Sequence, residues 1–497
     1  MKAYRELEGR FATLSHIGGA LAVLHWDSAT MMPPGGANAR NEQIATLSEI
    51  AHVRLTDPKL ADLLAQAELE IDTGDEWQRA NLREMRRSWE HANALDADLV
   101  VRQSRVTSAC ELAWREARGE NDFPRLIPLL DEVLVVTREV AAAKADALGL
   151  SPYDALLDGY DPGTRSAEID VIFNDLEEFL PRFNQQVAAA QASAGAPLRP
   201  EGPFPESRQR DLIEHIIGAL GFSRQNGRMD TSHHPFTGGV PDDVRITTRY
   251  NETDFTESIM GAVHETGHAL YERGLPPAWR HQPVGQSRGM TLHESQSLLF
   301  EMHAARSPEF VSFLAPLVRD ALAVNGPAYD LDNLQRLYLW VEPGLIRVDA
   351  DEVTYPSHII HRYRLERALL DDDLAVRDLP AAWNDGLNHL LGVTPPDDRD
   401  GCMQDIHWFG GDFGYFPTYT LGALAAAQLF TAAKLQHPEI PAAIASGDFA
   451  PLRKWLAENV HSRGALVDTQ TLMREATGSP LSADAFKHHL ETRYASP

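Results

Sequence analysis

Apolar residues recur at spacings of three and four along most of the chain, with charged residues between them, which is the pattern of amphipathic helices packed on a core. The repeat is clearest over 84–120 and 126–147, and the segment 421–435, LGALAAAQLFTAAKL, is apolar enough for a core helix. Two stretches break the pattern. Residues 192–207, ASAGAPLRPEGPFPES, and 223–242, SRQNGRMDTSHHPFTGGVPD, are rich in Pro, Gly and small or polar residues and read as surface loops. The clearest strand follows at 243–250, DVRITTRY, rich in β-branched residues. No βαβ alternation, phosphate-binding glycine pattern or solenoid repeat occurs. The expected architecture is mainly α, a single catalytic body over 1–497 with a lobe boundary near 200: a helical lobe over 1–200 and a metal-bearing part over 201–497.

The strand runs directly into a helix start. Asp254 and Glu257 form a capping-box pattern, Phe255, Ile259, Met260 and Val263 supply an apolar face, and Gly274, Pro276 and Pro277 provide a stop. Inside this helix of about five turns lies His264-Glu265-Thr266-Gly267-His268. Two histidines four apart on one helical face can reach one Zn²⁺, and the glutamate between them sits beside the water-bearing position.

A catalytic zinc normally takes three protein ligands and leaves one position for water. The metzincin extension would need a histidine where this chain has Gly274, so that subclass is excluded. Glu294, in Thr-Leu-His-Glu-Ser-Gln-Ser at 291–297, is the best third ligand. Thr291 and Glu294 also make a T-x-x-E capping box, in which Glu294 would only bond the helix's own amide, and Glu301, seven residues on, is the rival ligand. No cysteine is near to close the fourth position, which argues for a catalyst over a zinc-stabilised scaffold. In that chemistry the metal acidifies the water and Glu265 takes its proton.

Composition narrows the partners. The 497 residues include 45 Lys and Arg against 72 Asp and Glu, a formal charge of -27. Such a surface repels phosphate backbones and anionic lipid, and no basic run offsets it, so nucleic acid and membranes are excluded as expected partners. Hydrophobic residues at 43% allow a deep core. Cys110 and Cys402 are too few for a disulfide framework and read as free buried thiols. With no signal-peptide core at the N-terminus and no apolar run of spanning length, the expected location is cytoplasmic.

Several motifs now fall in one order. HETGH followed by HESQS, with Asp243-Val-Arg245-Ile-Thr247 before them and Ile346-Arg347-Val-Asp-Ala350-Asp351 and Gly401-Cys-Met-Gln404-Asp405-Ile-His407-Trp408 after them, resembles the carboxypeptidase Taq family of zinc metallocarboxypeptidases. LHWDSATMMPPGGA at 24–37 and His234-Pro235-Phe236 are similar to that family too, so the likeness spans most of the chain.

The resemblance implies a helical saddle with a deep central groove and a small β-sheet, as in the neurolysin and angiotensin-converting-enzyme group. It also implies a zinc-dependent carboxypeptidase of broad specificity, usually a homodimer, in which Co²⁺ can substitute for Zn²⁺ and single residues leave peptides with a free C-terminus. His407 and Tyr419 fit the His and Tyr that related helical zinc peptidases aim at the oxyanion, and Tyr415 lies within reach. Arg347 and Arg245 are the candidates to grip the terminal carboxylate, each with a structural alternative, an ion pair with Asp351 or Asp243 respectively. His234 is a substrate-side candidate through its motif, and the 243–250 strand could pair with an extended peptide. The rival enzyme is a helical oligopeptidase or dipeptidyl carboxypeptidase with the same zinc motif.

Overall fold

The computed structural model describes residues 1–495, and it is mostly helical with one three-stranded sheet. The helical stretch expected over 84–120 is two helices, Glu76–Asn93 and Ala97–Glu120. The break falls at Asp96, whose carboxylate accepts the amide of Leu99 at 2.8 Å. An N-cap satisfies a helix's free amides locally, so apolar spacing carries across the break without registering it. The 126–147 pattern lies inside Phe123–Leu148, and 421–435 lies inside Pro417–Gln436, which is buried along most of its length. Cys110 and Cys402 are free and buried.

Both expected loops are shorter than their composition suggests. Helix Ser166–Ala194 runs into the first, and the next helix, Glu206–Leu220, begins inside it. The second contains two strands, β1 (Gly227–Thr231) and β2 (Thr237–Val240), on either side of β3 (Asp243–Thr248). β1 is parallel to β3 and β2 antiparallel to it. β1 carries charges and β2 two glycines, so neither shows strand alternation. The glycines serve close approach: a Cβ on Gly227 would collide with the carbonyl of Val244, and Gly239 has φ 95°.

The sheet lies against the helix Thr256–Gly274, where Thr248 donates to the carbonyl of Ser258 at 3.1 Å. Just before that helix, Asp254 accepts both the amide and the hydroxyl of Thr256, at 2.7 and 2.6 Å. Glu257 does not close the capping box and instead lies 3.6 Å from Arg249. At the far end a Cβ on Gly274 would stand 2.6 Å from Cβ of His461, so close packing accounts for the glycine there. The main hydrophobic core draws on residues from Leu99 to Tyr494, on both sides of position 200, and a smaller cluster joins Tyr4, Leu7, Leu60, Leu64 and Met85. Among the described residues no helix is long and apolar enough to cross a membrane.

Candidate metal centre

His264 and His268 stand one turn apart with ring centroids 5.0 Å from each other, and Glu294 Oε2 is 3.6 Å from His268 Nε2. Ligand atoms of all three lie within 4.8 Å of one another. Glu294 arrives on the short helix Met290–Leu298, which crosses the Thr256–Gly274 helix at the glycine inside the HETGH signature. A Cβ on Gly267 would meet the carbonyl of Gln296 and sit 2.6 Å from Cα of Ser297. On the other side, a Cβ on Gly422 would be 2.7 Å from Cβ of Glu294. Two glycines therefore let three helices approach closely enough for one carboxylate to meet two imidazoles.

Glu294 is not a cap. The amide of Thr291 bonds to Asp161 Oδ1 at 3.2 Å and that of Met290 to the carbonyl of Tyr160 at 2.9 Å, so the start of the helix is satisfied from elsewhere in the chain. The helix then widens into a π-helical turn, Leu299–Ala304, which carries Glu301. Such turns are rare and common at functional sites. Glu301 Oε2 lies 2.9 Å from His264 Nδ1, while its Oε1 accepts from Arg306 at 2.9 Å. Burial works against the Glu301 charge, yet the contacts with His264 and Arg306 hold its carboxyl below the usual range.

The second histidine is braced from behind as well. His268 Nδ1 is 2.7 Å from His293 Nδ1, and His293 Nε2 is 2.9 Å from Glu272 Oε1. Both rear nitrogens of the histidine pair are thus engaged, which fixes the rings. Glu265 is buried and accepts the hydroxyl of Thr237 on Oε2 at 2.6 Å. Burial raises its pKa, opposed in part by His264 and by the Thr237 hydrogen bond.

A second group of side chains gathers around Tyr419. Its hydroxyl is 3.5 Å from His407 Nε2, and its ring centroid is 5.1 Å from that of Tyr415. The Arg347 guanidinium lies 5.1 Å from the Tyr419 ring centroid and donates to Asp405 through Nε at 3.1 Å and Nη2 at 2.8 Å. Its Nη1 donates to the Tyr355 hydroxyl at 3.2 Å. Arg362, fully buried, donates to the other oxygen of Asp405 at 2.6 Å. Arg347 and Glu294 interact electrostatically, as do Tyr419 and Glu294, which ties this group to the metal-ligand cluster. Burial raises the Tyr419 phenol, Arg347 opposes that and Glu294 adds to it, leaving it at about 12. Burial also lowers His407 to about 4 against the pull of Asp405, so its ring is neutral, and its Nδ1 has no hydrogen-bond partner among the described residues.

Other sequence candidates are placed differently. The acidic partner of Arg347 is Asp405 and not Asp351, which accepts the amides of Val353, Thr354 and Glu342. Arg245 is bound to Asp243 of its own strand through Nε at 3.0 Å and Nη2 at 2.6 Å. His234 is exposed, its ring against that of His233 and its carbonyl accepting the hydroxyl of Ser232. Thr247, on the same face of β3 as Arg245, is buried and bonded to Ser232 and Phe236. Sequence reasoning missed Thr237, Glu272, His293 and Tyr355. Of these, Glu272 carried a signal, standing four residues after His268 on the same helical face.

A helical body that buries two histidines and a glutamate around one point, with a further carboxylate alongside, has the layout of a metallopeptidase. Residues 6–494 match the profile of the family described as carboxypeptidase Taq (M32) metallopeptidase. Thermostable carboxypeptidase 1 of Thermus thermophilus is 39% identical over 99% of this chain and 97% of its own, and carboxypeptidase 1 of Bacillus subtilis is 33% identical over 97% and 96%. Among solved structures, Trypanosoma cruzi metallocarboxypeptidase 1 superposes with a TM-score of 0.97 at 40% identity, covering 99% of both chains. An M32 carboxypeptidase from Deinococcus radiodurans gives 0.94 at 34% identity, with the same coverage. The chain belongs to the carboxypeptidase Taq family and is a metallocarboxypeptidase.

Proposed function

We infer that the chain is a zinc carboxypeptidase of broad specificity that releases single residues from the free C-terminus of peptides, with His264, His268 and Glu294 as the metal ligands. The observation that carries this reading is the convergence of those three ligands with both rear imidazole nitrogens engaged and Glu265 one residue from His264. Two imidazoles and one carboxylate fit zinc, or cobalt in its place, with a position left for water. When bound, the metal supplies a Lewis acid and lowers the pKa of water toward neutrality.

The protein's own groups do the rest. The Thr237 hydroxyl occupies Oε2 of Glu265, leaving Oε1 to take a proton from the attacking water and pass it to the leaving amine. Neutral His407 and the protonated Tyr419 phenol can donate to the scissile carbonyl oxygen as it gains charge, with Tyr415 as the alternate phenol. For the terminal carboxylate, Arg347 is favoured over Arg245. Arg347 and Arg362 share one carboxylate, Asp405, so two positive charges meet one negative charge and a buried excess remains for an anionic ligand. Arg245 is neutralised by Asp243. The acidic surface, with its formal charge of -27, supports peptides as partners in place of nucleic acid or membranes, and the resemblance and composition support a cytoplasmic homodimer.

The test is kcat/KM for the acid and amide forms of one peptide, measured for wild type, Arg347→Ala and Arg245→Ala. A charge-assisted pair contributes on the order of 1.5 to 3 kcal/mol, roughly ten- to a hundredfold in rate. Wild type and Arg245→Ala are expected to prefer the acid by that factor and Arg347→Ala to lose the preference. Equal cleavage of both forms by wild type would favour the oligopeptidase alternative.

A further inference from the structure

The donor set found around His264 recurs once more. His303, on the π-helical turn, Glu352, before the helix Tyr355–Leu370, and His489, on the C-terminal helix Asp484–Tyr494, present ligand atoms within 4.8 Å of one another. Three distant stretches of chain meet here. His489 Nε2 is 2.8 Å from Glu352 Oε1, and His303 Nε2 is 3.9 Å from the same oxygen, beyond hydrogen-bond reach. His303 is only 2% exposed, and its Nε2 stands near that carboxylate oxygen without bonding it. The two rings are tilted by 58° to each other, with centroids 4.2 Å apart.

Glu352 divides its work between its two oxygens. Oε2 accepts from the Tyr494 hydroxyl at 2.8 Å and from Arg493 Nη1 at 3.2 Å, which leaves Oε1 to the imidazoles. His303 and Glu352 also line a cavity of about 10 Å³ walled by Leu298, Met302 and Phe486. That is near the least volume that holds one water. An ion taken up among these side chains would draw its protein ligands from His303, Glu352 and His489.

We propose that His303, Glu352 and His489 form a second binding site for a borderline divalent cation of the zinc, cobalt or nickel class. Imidazole and carboxylate donors suit those ions, and a hard cation such as magnesium would prefer oxygens throughout. Loading replaces the hydrogen bond between His489 and Glu352: the neutral His489 ring carries its hydrogen on Nδ1 and presents the Nε2 lone pair to the ion, with no net change in protons. Burial lowers the pKa of both histidines, which keeps the rings neutral and available as ligands. Arg493 beside Oε2 weakens the attraction for a cation, so this site is the weaker of the two. Its effect is structural: it fastens the C-terminal helix to the π-helical turn, which also carries Glu301 against His264.

The experiment loads the protein with one equivalent of zinc and follows further uptake by equilibrium dialysis with metal analysis, and by thermal unfolding. Wild type is expected to take up a second equivalent and to show a higher Tm as it does so. His303→Asn and His489→Gln should each keep the first equivalent and peptidase activity but lose both the second equivalent and the Tm rise. The half-buried His489 position decides the matter alone if the buried His303 variant does not fold. Wild type that stops at one equivalent, or a second equivalent that persists in His489→Gln, would overturn the proposal.

Discussion

His264, His268 and Glu294 on one side and His303, Glu352 and His489 on the other offer the same ligand types at similar spacing, yet their surroundings differ. Among the described residues Glu294 forms no ion pair with an arginine; His268 Nε2 lies 3.6 Å from it, and Glu265 is a further carboxylate that interacts with it electrostatically. Burial raises the pKa of Glu294. Glu352 is bonded by His489, Arg493 and Tyr494; His489 and Arg493 overcome its burial and hold it well below the usual carboxylate range, and the cluster of His303, Glu352 and His489 contains one carboxylate. Donor identity alone does not make a catalytic centre. The two clusters differ in whether an arginine pairs directly with the carboxylate, in how the imidazoles are braced and in whether a further carboxylate stands alongside.

That contrast sets the predicted outcomes, beginning with the largest. His264→Ala or His268→Ala should lose the tightly held metal and with it activity down to background, whereas His303 and His489 variants keep turnover; metal analysis and peptide assays on the four proteins check this. Glu294→Ala should likewise lose stoichiometric metal at low free zinc. Glu301→Ala should keep it but with about 10- to 100-fold weaker affinity, the usual cost of losing the partner that orients a ligand. Competition with a chelator separates the two, and equal losses would make Glu301 a ligand after all.

Gly267→Ala probes the close crossing of helices rather than the ligands. Its new Cβ must displace the backbone of Gln296 and Ser297, which should cost about 1 to 3 kcal/mol of stability and weaken metal binding by moving Glu294. Denaturant unfolding and metal titration on the same protein test both parts. The smallest effect is expected for Glu491→Ala, an exposed position on the C-terminal helix, which should stay within about 0.5 kcal/mol of wild type.

The same contrast explains what the sequence made legible. His264, Glu265 and His268 belong to one helix, and fixed helical spacing makes their relation readable from five residues. Glu294 was readable because it follows within one further helix. The bracing of the histidines was not, since His293 reaches back to His268 and Glu272 through a helix crossing that depends on Gly267 and Gly422. Asp405 lies in a recognisable motif, but its place between Arg347 and Arg362 emerges only when three separate segments pack together. β1 and β2 escaped notice because charges and glycines replace alternation in strands held mainly by their pairing with β3.

The central claim is that the HETGH cluster holds the working metal while Glu265 moves the proton. It is tested most directly by Glu265→Gln, assayed for bound zinc and turnover in one preparation. The amide keeps the shape of the side chain but cannot accept the water's proton. The account predicts one equivalent of zinc as in wild type and a kcat lower by about 10²- to 10⁴-fold or more. Zinc retained together with near wild-type turnover would contradict it.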